Sequence, residues 1–240
     1  MLIKKNRVWA AVALLAAVTG FSSCLKNDSN ITPTRPQAQI WFMNVSTSTV
    51  PATFYDNDVK VSDSIIDFNF YSRYAVYGGA HKFELRKQGG DSVIVNNIST
   101  YDSTGYYTFL MFDNPVKAIA IPTNTENYDQ TKIGIRFLNL SPDAGPVDVY
   151  IGSEKIDSNR NYMSTGELMS ASNFKLFSSF SINNTVTIKA AGTDDVLANS
   201  TDLPVTSFTQ GNFYTIYLAG LKAHPSGSDK LLVNTFYSLY

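Results

Sequence analysis

The sequence predicts an all-β fold. We expect two tandem β-sandwiches of the immunoglobulin-like or transthyretin-like kind, which follow a cleaved N-terminal signal peptide. Three observations lead to this prediction. Short segments alternate polar and apolar residues, one stretch of the chain recurs in its second half, and the first 23 residues have the layout of a secretory signal.

The N-terminal segment begins with three basic residues, continues with an apolar run from Val8 to Val18 and ends in Phe21-Ser22-Ser23. The apolar run is shorter than the roughly 20 residues that a membrane-spanning helix needs. Cys24, the single cysteine, follows at once. This layout resembles the lipobox of bacterial lipoproteins, in which the thiol receives a diacylglycerol. We therefore expect residues 1–23 to be removed and Cys24 to be lipidated, so that acyl chains hold the protein in a membrane.

Residues 24–36 are polar and contain prolines, which predicts a flexible lipidated tether. Leu25 is not the aspartate that resembles an inner-membrane retention signal, so we predict a lipid-anchored protein of the outer membrane. Lys26 and Asp28 faintly resemble the surface-export tag of Bacteroidota lipoproteins. The sequence leaves open whether the protein faces the periplasm or the cell surface.

Composition excludes some classes of partner and of fold. Without residues 1–23 the chain keeps 16 basic and 20 acidic residues, a net charge of −4. No basic face is predicted, which argues against nucleic acid as a partner. Once Cys24 carries lipid, no cysteine remains for a disulfide framework, so packed cores must stabilise the fold. A hydrophobic content of 44% and an aromatic content of 13% are sufficient for such cores.

Several segments have the period-two pattern of half-buried strands, namely Lys82–Arg86, Val147–Ile151 and Val186–Ala190. Tyr107–Met111 and Tyr214–Leu218 are richer in β-branched and aromatic residues. Turns are predicted between these segments at Asp56-Asn57, Gly78-Gly79, Gly89-Gly90 and Gly152-Ser153. A short helix is predicted only between Tyr162 and Ala171.

The chain also contains an internal repeat. Ile40–Ser46 aligns with Ile135–Ser141, and the register continues until Lys60-Val61 meets Lys155-Ile156. A polar stretch at residues 123–131 separates the two copies. We therefore predict one sandwich at residues 37–125, a second at 130–240, and an interdomain linker between them.

One stretch of the second copy has a family-like motif. It runs from Arg136 to Tyr150 and contains Ser141-Pro142-Asp143 and Val147-Asp148-Val149-Tyr150, with a tight turn at Gly152-Ser153. These residues resemble the bacterial domain of unknown function 4397 (DUF4397), and the segment Ser72–Leu85 is similar to a second part of it. The resemblance covers roughly residues 37–240 and is specific in the second copy. It implies a secreted or lipid-anchored β-sandwich protein, and it implies no activity.

The motif supplies the candidate binding loop, Asp143 and Asp148. Two interpretations stay open, since these carboxylates could meet a ligand or cation, or could stabilise the turn that Pro142 initiates. Asp56, Asp58 and Asp63 form the best candidate Ca²⁺ cluster, although Asp56-Asn57 also fits a hairpin turn.

No catalytic site, metal site or cofactor is predicted, and we expect that the protein is not an enzyme. The two histidines, His81 and His224, lie in different copies, and no serine lies in a Gly-x-Ser-x-Gly motif. The 14 tyrosines and 15 phenylalanines could form a sugar-stacking surface, but they fit a sandwich core better.

Three short motifs resemble the Bacteroidota O-glycosylation site and make Ser64, Ser92 and Ser103 candidates for modification. These are Asp63-Ser64-Ile65, Asp91-Ser92-Val93 and Asp102-Ser103-Thr104.

The sequence thus favours a non-catalytic, lipid-anchored cell-envelope protein that presents β-sandwich domains for binding or adhesion to a glycan or an envelope protein. One alternative is a structural, pilin-like subunit that assembles by strand exchange. Arg35-Pro36 argues against it, because proline after arginine makes a poor protease site. A glycan-active hydrolase is the other alternative, and no residue pattern indicates it.

Overall fold

The computed structural model describes residues 35–48, 50–180, 185–200 and 207–239. The predicted signal peptide, Cys24 and the predicted tether up to residue 34 lie outside the described residues. Residues 36–240 form one compact unit. Within the described ranges, no helix is long and apolar enough to cross a membrane.

The all-β prediction is confirmed. The strands of the first half are β1 Gln37–Asn44, β2 Ala52–Asp56, β3 Val59–Lys60, β4 Phe70–Tyr77, β5 Gly79–Lys87, β6 Val93–Tyr101, β7 Tyr106–Phe112 and β8 Lys117–Pro122. The strands of the second half are β9 Ile133–Asn139, β10 Val147–Ile151, β11 Glu154–Arg160, β12 Lys175–Phe177, β13 Val186–Ala190, β14 Val196–Asn199, β15 Phe213–Ala219 and β16 Leu232–Leu239. β10 and β13 have the bounds of the alternating segments found in the sequence.

The described strands form four sheets, and the two halves repeat one topology. The first half contains sheet A, in the order β4-β1-β7-β8, and sheet B, in the order β3-β2-β5-β6. The second half contains the matching sheet C (β12-β9-β15-β16) and sheet D (β11-β10-β13-β14). The register repeats as well. Ile40 pairs with Tyr107 between the parallel strands β1 and β7, and Ile135 pairs with Tyr214 between the parallel strands β9 and β15.

Each half has its own apolar core between two facing sheets. Between sheets A and B, Phe42, Phe54, Phe83 and Phe109 belong to one cluster. Val149, Ile188 and Ile216 belong to the corresponding cluster between sheets C and D. Strands of the outer sheets B and D direct apolar side chains into a core on one face only, which explains the alternation of apolar and polar residues in β5, β10 and β13.

A third apolar cluster lies between the two halves, where sheet A packs against sheet C. Met43, Leu110 and Phe112 come from sheet A, and Leu138 and Tyr217 come from sheet C. The four sheets therefore stack in the order B, A, C, D. Every residue of β9 and β15 is buried, because these strands cover a core on both faces. Continuous apolar runs are typical of strands in that position.

Arg136 is a charged side chain inside the layer between sheets A and C, where it is 3% exposed. It donates hydrogen bonds to Thr215 Oγ1 (2.8 Å) and Thr108 Oγ1 (3.0 Å), and to the Ala171 carbonyl oxygen (2.8 Å). Its guanidinium carbon also lies 4.8 Å from the centroid of the Phe174 ring. Burial lowers the pKa of Arg136 to about 9. Arg136 therefore links the two halves, since Thr108 belongs to the first half and Thr215 to the second.

The predicted helix is present but shorter than the segment Tyr162–Ala171. Helix α1 spans Thr165–Met169. Ser164 caps it, and Ser164 and Glu167 form a capping box that satisfies the first N–H groups of the helix. Leu168 is the buried residue of this helix and packs in the cluster between the two halves.

Candidate functional site

The loop between β9 and β10, which lies inside the family-like motif, holds Asp143 against the connection between β15 and β16. One oxygen of Asp143 accepts a hydrogen bond from the backbone N–H of Lys222 (2.8 Å), and the other accepts one from Ala223 (2.9 Å). Burial alone would raise the pKa of Asp143, but the N–H groups of Ala223 and Lys222 outweigh it and lower that pKa. The carboxylate thus fastens one loop to another.

Asp148 lies in a separate network on the outer face of sheet D and is 3% exposed. Its carboxylate accepts hydrogen bonds from Lys155 Nζ (2.7 Å), from the Asn159 N–H (2.9 Å) and from the Gly192 N–H (3.2 Å). Lys155 above all, and then Asn159, lowers the pKa of Asp148. Asp148 therefore connects β10 to β11 and to the turn between β13 and β14. The structure does not bring Asp143 and Asp148 into one cluster.

The three carboxylates of the candidate Ca²⁺ cluster have different partners. Asp56 accepts hydrogen bonds from His81 Nδ1 (2.8 Å) and Tyr74 Oη (3.0 Å). Asp58 pairs with Lys82 (2.9 Å) and Arg86, whereas Asp63 pairs with Lys60. The two residues with positive φ in the β2–β3 turn are Asn57 and Asp58, so the turn lies one residue later than the sequence indicated.

The two histidines each contact a carboxylate. His81 is half-buried in the first half, with Nδ1 at Asp56 and Nε2 3.0 Å from the Tyr77 carbonyl oxygen. His224 is exposed and lies 3.0 Å from Asp229 in the connection between β15 and β16. No group of three or more His, Cys, Asp or Glu side chains among the described residues is placed to hold a metal ion.

The outer face of sheet B contains a polar pocket of about 340 Å³. Its lining consists of Thr53, Tyr55, Lys60, Asp63 and the turn Gln88–Asp91. Beside the pocket, the Arg86 guanidinium carbon lies 4.3 Å from the centroid of the Tyr55 ring, and Arg86 also pairs with Glu84. Asp63 raises the pKa of Lys60, its salt-bridge partner. No sequence pattern indicated this pocket, because its lining comes from three separate segments.

Sheet A has an aromatic surface on the side that faces away from sheet B. We call it the sheet A face and define it by Gln37, Gln39, Trp41, Tyr71, Arg73 and Tyr77. Cross-strand pairing places Trp41 opposite Arg73 and Gln37 opposite Tyr77. Tyr71 is 40% exposed and Tyr77 is 47% exposed. The Trp41 ring lies 6.3 Å from that of Tyr71 and 5.2 Å from that of Phe236, so the face is continuous with the packing between sheets A and C.

The three candidate modification sites all lie in loops. Ser64 follows β3 and is exposed, and Ser92 precedes β6 and is also exposed. Ser103 lies in the turn between β6 and β7 and is half-buried. Modification of these serines, and of Cys24 outside the described residues, stays a prediction.

A sequence model described as "Domain of unknown function (DUF4397)" matches residues 11–150, more than half of the chain. The chain belongs to the DUF4397 family. This match includes β1–β8 and ends at Tyr150, the last residue of the family-like motif. It is a single match, whereas the resemblance seen in the sequence suggested two copies over residues 37–240.

No curated protein matches the chain. One similar solved structure is described as "Alpha-glucan binding by a streptococcal virulence factor". It is 9% identical, and the comparison covers 77% of this DUF4397 protein and 92% of that chain with a TM-score of 0.27. At that score the likeness supports no functional argument.

Three features of the structure were not predicted from the sequence. Arg136 belongs to the family-like motif, but its burial and its hydrogen bonds to both halves follow only from its position between sheets A and C. The pair of His81 and Asp56 forms across strands that are separated along the chain. The sheet A face could have been predicted in part, because Tyr71, Arg73 and Tyr77 alternate along β4 and therefore lie on one side of the sheet.

Proposed function

We propose that the protein is a non-catalytic, lipid-anchored binding protein of the outer membrane, which contacts a glycan or an envelope protein through the sheet A face. Cys24 supplies the anchor, and residues 24–36 are the tether that spaces the sandwiches from the membrane. The observation on which the proposal rests is the row of aromatic and arginine side chains on sheet A, in which Tyr71, Arg73 and Tyr77 are exposed and Trp41 is half-buried.

The composition of the sheet A face supports a binding role. Tyrosine, tryptophan and arginine are enriched among the residues that supply most of the binding energy at interfaces. Tyr71 and Tyr77 remain about half exposed although the same sheet packs against sheets B and C elsewhere. Gln39 and Arg73 are exposed beside them and provide hydrogen-bond donors for a polar partner.

The environment of His81, Asp143 and Asp148 supports a non-catalytic role. Nucleophilic catalysis needs a base that is free to take a proton from a nucleophile. Both ring nitrogens of His81 already face protein acceptors, Asp56 and the Tyr77 carbonyl. The carboxylates of Asp143 and Asp148 are bonded to backbone N–H groups.

We also propose that the chain contains two DUF4397-like copies in tandem. The support is the repeated strand order, together with the matching register of the parallel strand pairs. Divergence of the first copy accounts for its different loop sequences.

The anchor is tested on the protein purified from its native membrane. We expect mass spectrometry of the mature N-terminus to find Cys24 as the first residue with acyl chains attached. A Cys24→Ala variant should accumulate unprocessed or appear in the soluble fraction. An unmodified Cys24, or an intact Met1 terminus, would contradict the proposal.

The binding surface is tested with the mature chain against immobilised envelope polysaccharides and outer-membrane proteins. The double variant Tyr71→Ala/Tyr77→Ala should weaken the observed binding by about tenfold or more, since interface aromatics often contribute more than 1 kcal/mol each. Tyr128→Ala is the matched control, because Tyr128 is 43% exposed outside this face. Equal binding by the double variant and the control would show that the sheet A face is not the contact surface.

One observation favours the pilin-like alternative. Among the described strands β4 pairs only with β1, so its other edge is open for an added strand. A pocket of about 210 Å³ lies beside this edge and is lined in part by Phe42, Phe54 and Phe70. If the protein is such a subunit, removal of residues 24–36 should give filaments visible by electron microscopy.

A further inference from the structure

We propose that the pocket on the outer face of sheet B is a binding site for a neutral sugar, such as the terminal unit of a glycan. This site goes beyond the proposed function, because it lies on a different sheet from the sheet A face. The two halves differ in what fills this position above the outer sheet.

The turn between β5 and β6 has the same backbone structure as the turn between β13 and β14. Matching hydrogen bonds run from Gln88 N–H to the Pro51 carbonyl (2.9 Å) and from Ala191 N–H to the Pro146 carbonyl (3.0 Å). The glycine that follows has a left-handed conformation in both turns, with φ of 75° at Gly89 and 72° at Gly192. The N–H of Gly89 is therefore directed to the same place above sheet B as the N–H of Gly192 above sheet D.

In the second half, a side chain of the protein fills that place. Asp148 projects from β10 and its carboxylate accepts hydrogen bonds from Gly192, Lys155 and Asn159. The long strand β11, which continues to Arg160, brings the last two donors to it. The counterpart of the pocket is thus closed by the carboxylate of Asp148.

In the first half, the position that matches Asp148 is occupied by Thr53. The register shows this, because Thr53 pairs with Arg86 across β2 and β5 as Asp148 pairs with Lys189 across β10 and β13. The threonine side chain is shorter and has no carboxylate. Strand β3 also ends at Lys60, so the chain leaves the sheet where β11 would continue. A pocket of about 340 Å³ remains between Thr53, Lys60 and the turn at Gly89.

The groups around this pocket indicate the class of ligand. The lining residues Lys60 and Gln88 carry donor groups, and Asp63 and Asp91 carry carboxylate acceptors. Lys60 and Asp63 pair with each other, so a ligand meets a neutral ion pair there. A sugar hydroxyl both donates and accepts, so it fits a mixed lining of this kind. An anionic ligand would meet two carboxylates against one ammonium, and an apolar ligand would find few apolar side chains. The volume lies at the lower end of the range for small-molecule sites, which suits a terminal sugar.

The test uses the purified mature chain on an array of neutral and uronic-acid-containing saccharides, with each hit measured by calorimetry. Thr53→Asp places in the first half the carboxylate that closes the pocket in the second. We expect this variant to bind the neutral saccharide about tenfold more weakly or worse, the loss that one or two hydrogen bonds represent. Thr53→Ser, which keeps the hydroxyl, should bind like the wild-type chain.

A second variant covers the case in which Thr53→Asp fails to fold. Asp91→Asn lies in an exposed turn and removes one acceptor, so it should weaken the same binding with an unchanged melting temperature. The double variant Tyr71→Ala/Tyr77→Ala should leave this binding intact, which separates the sugar site from the sheet A face. Absence of any bound saccharide, binding of acidic saccharides only, or equal binding by wild type, Thr53→Asp and Asp91→Asn would each overturn the proposal.

Discussion

Leu138 offers the sharpest test of the packing between sheets A and C. It is fully buried in β9 and belongs to the cluster that joins the two halves. Leu138→Ala removes apolar contact and leaves a cavity, for which a loss of about 2–5 kcal/mol in the free energy of unfolding is expected. For a chain of this length each kcal/mol corresponds to roughly 2–4 °C, so the melting temperature should fall by about 4–20 °C.

Urea unfolding gives the free energy directly. Trp41 is the one tryptophan of a chain that begins at Cys24, and its ring contacts Phe236 of sheet C, so its fluorescence reports on the layer between the halves. Circular dichroism reports on all four sheets. If the halves unfold as one unit, the two transitions coincide in the wild-type chain.

Leu176→Ala is the matched control, because Leu176 is 40% exposed on β12. A surface substitution of this kind should change stability by no more than about 0.5 kcal/mol. Should Leu138→Ala cost no more than Leu176→Ala, sheets A and C do not pack together in solution.

Four further outcomes are expected. Phe137→Ala and Ile188→Ala, both in the core between sheets C and D, should each lower the free energy of unfolding by about 2–5 kcal/mol. A loss below about 0.5 kcal/mol at both sites would show that these side chains do not face the core. Lys155 lowers the pKa of Asp148 in the folded chain. The carboxylate therefore stabilises the fold at any pH above its pKa in the unfolded chain, which is near 4, and this stabilisation is lost as the pH falls through the pKa of the folded chain. Asp148→Asn should therefore destabilise the chain by about 1–3 kcal/mol at pH 7, and a difference from wild type that failed to shrink in acid titrations would contradict this. Residues 130–240 expressed alone should melt cooperatively but below the full mature chain, because the fragment exposes one side of the layer between the halves; an equal melting temperature would mean that this layer adds no stability. The melting temperature of the unacylated mature chain should be the same in EDTA and in added Ca²⁺, and a rise with Ca²⁺ that is abolished by replacing Asp56 and Asp58, or by replacing Asp143 and Asp148, would contradict this.

The sequence by itself determined the class of fold and much of its order. Alternation in Val147–Ile151 and Val186–Ala190 predicted strands with an apolar face and a polar face, and both are strands of the outer sheet D. The repeat of Ile40–Ser46 at Ile135–Ser141 indicated that the two halves share a topology. The apolar pattern of a strand sets which face is buried and therefore its register, so strands with the same pattern are expected to pair in the same way. Such signals are local, since side-chain direction in a strand follows directly from its period of two.

Only the tertiary structure decided which surfaces meet and which stay open. The apolar runs Tyr107–Met111 and Tyr214–Leu218 are compatible with burial on both faces, but they do not say that sheet A packs on sheet C. Asp148 bonds to Gly192, which lies 44 residues away along the chain. The pocket beside Thr53 exists because the threonine side chain is shorter than that of Asp148, its counterpart in the second half, and because β3 ends earlier than its counterpart β11. Contacts of this kind depend on the distance between sheets and on the direction of turns. The sequence of a single strand does not specify either of these quantities.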